Sequence, residues 1–131
     1  MSATAAPFGL RPVYHPSGNT REVEYSIDAA YTTSIFKGDP VILNTNGTIT
    51  RSAAGNTLHG VFMGCEYLDS TGKPNYSNLW PGTASCTEIK AWVITDAETV
   101  FEIQGVSALT QAAIGDECDI STYAAGSTST G

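Results

Sequence analysis

Leu58-His-Gly-Val-Phe-Met-Gly-Cys-Glu-Tyr-Leu68 decides the fold class. It is too long and too rich in β-formers to be a loop, and its glycines at 60 and 64 argue against a helix. Read as a strand, it sets Val61, Met63, Cys65 and Tyr67 on one face and Gly60 and Gly64 on the other. Glycines inside a strand mark a bulge or a close backbone approach.

The flanking sequence repeats the theme. In Glu22-Val-Glu-Tyr-Ser-Ile27, Val23, Tyr25 and Ile27 alternate with polar residues; in Thr99-Val-Phe-Glu-Ile-Gln104, Phe101 and Ile103 do the same. Pro40-Val-Ile-Leu43 and Ile89-Lys-Ala-Trp-Val-Ile94 are further strands. Turn signals separate them, among them Asp69-Ser-Thr-Gly-Lys-Pro-Asn75 and Asn46-Gly47, the latter suited to a tight hairpin in which both central residues reach positive φ. One helix of at most two turns is expected at Ser107–Ile114, with Ser107 able to cap its start and Gly115 its end. The expected fold is a small antiparallel β-barrel or sandwich, with Val23, Tyr25, Ile27, Val61, Met63, Phe101 and Ile103 mainly buried.

The chain divides into an extended N-terminal arm (1–12), a β-rich domain (13–125) and a flexible Gly/Ser/Thr tail (126–131). With 131 residues and 41% hydrophobic content, it can bury one core without metal or disulfides. Six Lys and Arg against a net charge of −7 argue against nucleic acid and against an anionic membrane as partners. The charge is uneven: residues 1–51 are neutral, and nine of the thirteen acids lie beyond them. No apolar run is long enough for a membrane helix, and no secretory leader is visible. Cys65, Cys86 and Cys118 follow no zinc or redox spacing and are expected to be reduced, buried and inert.

No sequence motif carries chemistry. A phosphate loop and a dinucleotide fingerprint are lacking, and neither His15 nor His59 has a carboxylate or cysteine at metal-ligand spacing. Asp96/Glu98 and Asp116/Glu117/Asp119 read as solvated loop acids, at most a weak cation site. The chain is expected to be no enzyme, with no catalytic, cofactor or metal site. Three rival readings are a carbohydrate-binding virion or tail-associated module using exposed Trp80 and Tyr76, a hydrolase using Asp96 and Glu98, and a major coat or tail protein, although the chain lacks the long helix and size expected of a coat subunit.

An ordered set of short motifs adds what physics does not. Ala6-Pro-Phe-Gly-Leu-Arg-Pro-Val13, Ser17-Gly18, Ser34-Ile-Phe-Lys-Gly-Asp-Pro-Val41, Asn46-Gly-Thr-Ile49, Leu58-His-Gly-Val-Phe-Met-Gly64, Glu66-Tyr67, Trp80-Pro81 and Val100-Phe-Glu-Ile-Gln104 follow one another. The set resembles head decoration (cement) proteins of podovirus-like and cyanophage-like tailed bacteriophages. The resemblance implies a structural virion protein, assembled in the host bacterial cytoplasm. It implies a homotrimer on the outer capsid surface that binds the phage major capsid protein and stabilises the expanded head. In that reading the arm holds on to the capsid, with Phe8 and Leu10 as apolar anchors, Pro7 and Pro12 limiting the entropy lost on docking, and Arg11 pairing with a coat carboxylate.

Overall fold

A computed structural model describes residues 8–105 and 107–120. The protein is mainly β and built from antiparallel sheets; among the described residues there is one 3-10 turn and no closed barrel, consistent with a β-sandwich. The described residues form ten strands in chain order: β1 (Arg11–Tyr14), β2 (Val23–Tyr25), β3 (Ile35–Phe36), β4 (Pro40–Leu43), β5 (Ile49–Arg51), β6 (Gly60–Leu68), β7 (Pro74–Ser77), β8 (Leu79–Trp80), β9 (Thr87–Ile94) and β10 (Val100–Glu102). The main sheet runs β2-β9-β6-β4-β5, with β7 also paired to β6. β1 pairs with β10, and β3 with β8, as separate ribbons. An isolated bridge between Ser26 and Thr48, with the Ile49 N–H donating to the Ser26 carbonyl at 2.9 Å, links the β2 and β5 ends of the main sheet. The sheet therefore curls around its core.

β6 departs from simple alternation. Phe62 pairs with Val93 and Gly64 with Trp92, so Met63 is an extra residue in a bulge. Phe62 and Cys65 consequently both enter the core beside Val93 and Ala91, although they lie an odd number of residues apart. The one-face expectation for Val61, Met63, Cys65 and Tyr67 is thus corrected: Val61 belongs before the bulge and Cys65 after it, and Met63 is half-buried. A second irregularity sets Tyr67 against both Glu88 and Ile89, with Glu88 at φ 50°, a left-handed conformation uncommon outside glycine.

The core gathers Trp80, Phe62, Ile35, Ile49, Val41 and Val93, with Ile27, Cys65, Cys86, Ile89 and Ala91. The Trp80 indole N–H donates to the Tyr31 carbonyl at 3.1 Å, and its ring meets Tyr67 edge-on at 5.5 Å. Of the residues expected inside, Ile27 and Val61 are buried; Val23, Tyr25, Met63 and Phe101 are half-buried. Ile103 is corrected to exposed, because β10 pairs only with the short β1 and the chain leaves the ribbon at Glu102. The helix expected at Ser107–Ile114 contracts to a 3-10 turn at Gln111–Ala113. Thr110 is extended and none of the turn's residues is buried, so no packed face supports a longer helix. Cys65 and Cys86 are buried, and burial pushes the Cys65 thiol up to about 12; Cys118, expected to be buried, is exposed.

Two hairpins share one turn design. In the β4–β5 loop the Asn44 N–H donates to the Thr48 carbonyl at 2.8 Å and the Gly47 N–H to the Asn44 carbonyl at 3.0 Å. In the β6–β7 loop the Asp69 N–H donates to the Lys73 carbonyl at 3.0 Å and the Gly72 N–H to the Asp69 carbonyl at 2.9 Å. Each is a three-residue loop whose last residue is a left-handed glycine, φ 82° at Gly47 and 79° at Gly72. The two-residue turn expected at Asn46-Gly47 is therefore corrected: Asn46 keeps negative φ, and its side-chain oxygen accepts from the Thr48 N–H and hydroxyl.

In the second loop, Asp69 Oδ1 accepts from the Thr71 hydroxyl and N–H and from the Lys73 N–H. These bonds favour the charged form and hold the carboxyl down at about 2. Because the folded pKa lies below the ordinary 3.8, the ionised group contributes stability above that value and loses it as pH falls toward about 2. Asp69→Asn is expected to lower stability at neutral pH and to match wild type near pH 2, as measured by urea unfolding across that range. Parallel pH curves for the two proteins would show that the Asp69 charge contributes nothing.

Candidate functional site

The β9–β10 turn and the chain that follows β10 enclose a large cleft. Its floor is Val61 and Ile94, a cross-strand pair from β6 and β9, and its walls carry Leu58, Phe101, Ile103 and Leu109. The volume is about 700 Å³, and apolar groups dominate the lining. Leu109 is 74% exposed and Leu58 43%, so the cleft opens on an apolar rim. Exposed apolar side chains around a cleft make it the candidate site.

Four of the five arm residues expected to bind fall within the described structure; Pro7 lies outside it. Leu10 sits where the large cleft meets a smaller one of about 430 Å³, which Phe8, Met63 and Lys37 also line. The Leu10 N–H donates to the Gly38 carbonyl at 2.8 Å, and the backbones of Gly9 and Gly38 cross so closely that a Cβ on Gly9 would lie 2.8 Å from the Gly38 oxygen. Arg11 and Pro12 begin β1, opposite Glu102 and Phe101. Arg11 forms an ion pair with Glu102, and its guanidinium lies 4.7 Å from the centre of the Phe8 ring. Residues 8–12 are thus laid along the domain and joined to its sheets, and the Arg11 charge faces an internal carboxylate. Phe8, 45% exposed, remains presented to the outside.

The turn after β1 carries His15, whose side chain is only 10% exposed. His15 Nε2 lies 2.8 Å from Asp96 Oδ2, and His15 Nδ1 lies 2.7 Å from the Ser17 hydroxyl and 3.1 Å from the Ser17 N–H. Asp96 Oδ1 accepts from the Glu98 N–H at 2.9 Å. That backbone bond, and then the bond from His15, holds the Asp96 carboxyl below its ordinary range. Because the Ser17 N–H points at Nδ1, that nitrogen carries the lone pair and Nε2 carries the proton. Sequence spacing could not reveal this pairing, since Asp96 lies 81 residues from His15 and only the β1–β10 ribbon brings the two turns together.

The order serine, histidine, aspartate is that of a nucleophile, a base and its orienting acid. Oxyanion stabilisation also requires donors aimed at the reacting carbonyl. Here the Ser17 N–H is directed to His15 Nδ1 and the Gly18 N–H to the His15 carbonyl, so the turn's nearest donors point inward.

The other sequence candidates separate. Trp80 is fully buried and cannot offer a ring to a sugar, whereas Tyr76 is 76% exposed, so the two-ring platform of the rival carbohydrate-binding reading is not formed. Asp119 lines the large cleft, while Asp116 and Glu117 are exposed beyond the 3-10 turn. His59 bonds to the Tyr25 hydroxyl at 2.8 Å and serves packing between β2 and the start of β6. Comparison with protein-family models, curated proteins and solved structures finds no match.

Proposed function

We propose that the protein is a decoration (cement) protein of a tailed-bacteriophage head, which binds the outer surface of the capsid as a homotrimer and stabilises the expanded shell. The observation that carries this reading is the apolar surface running from Phe8 through Leu10 to the rim of the large cleft at Leu58, Ile103 and Leu109. It supports a protein partner with a broad apolar contact. The ordered motif resemblance supplies the class of partner, the phage major capsid protein. A stable contact needs roughly 800 Å² per partner, and the residues laid along the domain before β1 add Phe8 and Leu10 to the apolar face beside the cleft. Several weak contacts in one oligomer add through avidity.

The test is cosedimentation of the purified protein with expanded heads that lack it, together with the temperature at which those heads release DNA. Wild type is expected to bind and to raise that temperature. Phe8→Asp and Leu109→Asp, both on exposed side chains, are expected to weaken binding by at least about 30-fold each, since a buried interface anchor is worth about 2 kcal/mol or more. Their circular dichroism should match wild type. Saturation of heads by both variants with wild-type affinity would remove this face as the docking site, and failure of wild type to bind any head would overturn the reading.

A further inference from the structure

We propose that His15, Asp96 and Glu98 form a site for a divalent transition cation of the zinc class, which would clamp the turn after β1 to the turn between β9 and β10. One ligand atom from each of the three residues falls within a group whose members lie no more than 4.8 Å apart. One imidazole nitrogen and two carboxylates make a borderline donor set that suits Zn²⁺. Ca²⁺ and Mg²⁺ prefer all-oxygen shells and more ligands than these three supply.

The surroundings fix two of the three donors. Asp96 holds its turn through the Glu98 N–H and through its own carbonyl, which accepts from the Thr99 N–H at 3.2 Å; Oδ2 is then directed at His15. The His15 ring is nine-tenths buried and held at Nδ1 by Ser17. Glu98 is exposed and closes the site from the solvent side, leaving a fourth position for water.

Ser17 is what allows a cation to replace the proton now lying between His15 and Asp96. The Ser17 hydroxyl lies 2.7 Å from Nδ1 and 3.3 Å from the Asn19 carbonyl. When a cation takes the Nε2 lone pair, the ring proton moves to Nδ1 and is donated to the Ser17 oxygen. The hydroxyl hydrogen turns to the Asn19 carbonyl, and the Pro16–Ser17 peptide, whose N–H now faces Nδ1 at 3.1 Å, must rotate to carry that N–H away from the ring. The imidazole stays neutral and no proton is lost. A metal-bound histidine normally donates its second N–H to such a partner. Zinc bonds of about 2.0–2.1 Å in a tetrahedron place ligand atoms roughly 3.4 Å apart, so the 2.8 Å contact would have to open by about half an ångström.

The experiment uses chelator-treated protein carrying Cys118→Ser, which removes the exposed thiol as a competing zinc ligand. ZnCl₂ is titrated by calorimetry and its effect on the melting temperature is followed, with CaCl₂ as the comparison. One equivalent of Zn²⁺ is expected to bind and to raise the melting temperature, because a ligand stabilises the state it binds; Ca²⁺ at the same concentration should not. Asp96→Asn should abolish the effect. Glu98→Gln alters an exposed side chain, so the fold is expected to survive it, and it should weaken binding by at least about tenfold, a loss of about 1.4 kcal/mol. Co²⁺ should give visible d–d absorption in the parent and none in Asp96→Asn. No Zn²⁺ binding by the parent, or binding that Asp96→Asn and Glu98→Gln leave unchanged, would overturn the proposal.

Discussion

Trp80→Ala is expected to lower the unfolding free energy by about 3–5 kcal/mol, the range for removing a large, fully buried aromatic side chain. Two losses add. The core loses the largest of its fully buried side chains, and the Tyr31 carbonyl loses the indole N–H that reaches it at 3.1 Å. A domain of this kind has a total stability of about 5–15 kcal/mol, so the variant would stand close to the unfolding threshold. Trp80→Phe keeps an aromatic ring against Tyr67 but not the donor, and should cost clearly less than alanine. Urea unfolding followed by Trp92 fluorescence measures both variants on one scale. An alanine variant within about 1 kcal/mol of wild type would mean that the β3–β8 ribbon is not the lid of the core.

Gly82→Ala is expected to be nearly as damaging for a different reason. Gly82 has φ 76°, and a Cβ there would stand 2.3 Å from the Thr32 carbonyl oxygen and 2.7 Å from its carbon. The obstacle is backbone, which no rotamer change can relieve. Gly72 is the control: its φ is 79°, yet nothing lies within 4 Å of the corresponding Cβ. Gly72→Ala should therefore carry the left-handed conformational penalty alone, about 1 kcal/mol. Gly82→Ala should exceed it by at least about 2 kcal/mol, the scale of a backbone displacement forced by overpacking. Equal losses at the two positions, measured by urea denaturation, would show that the 32–33 segment yields freely to the chain after β8.

Strands with strong alternation or long apolar runs were legible in the sequence. β2, β4, β6 and β10 fall within stretches that their patterns mark out, and β9 contains its stretch but begins earlier, at Thr87. β3 and β8 were not legible, because two-residue strands have no period to detect; they exist because Trp80 and Ile35 are drawn into the same core. β1 was hidden by Pro12, which reads as a break but stands in a two-stranded ribbon that does not need its missing donor at every position. The parity change at Met63 was hinted at by Gly64 but not located, since a bulge is defined by its partner strand, and Val93 and Trp92 lie some thirty residues further on.

The candidate site was less legible than the fold. Phe8 and Leu10 stood out as isolated apolar residues between prolines, but their contact with Gly38 joins two separate motifs that sequence gives no reason to connect. The His15–Asp96 pairing was invisible for the same reason, as it depends on the β1–β10 register and not on spacing. The rival platform at Trp80 and Tyr76 is separated by the fold, because the Trp80 indole turns inward toward Tyr31 while Tyr76 stays exposed.

The bulge in β6 has a consequence for the gene. Phe62 and Gly64 already oppose the neighbouring residues Val93 and Trp92, so an in-frame loss of codon 63 would let the ladder close up with every flanking side chain on its present face. What would change is curvature: the same edge of β6 pairs with β4 at residues 60–61 and with β7 at residues 65–68, and the bulge lies between them. Loss of codon 61 or codon 65 would instead turn part of the strand inside out. Codon 63 is a place in this strand where one residue can be lost without inverting a face.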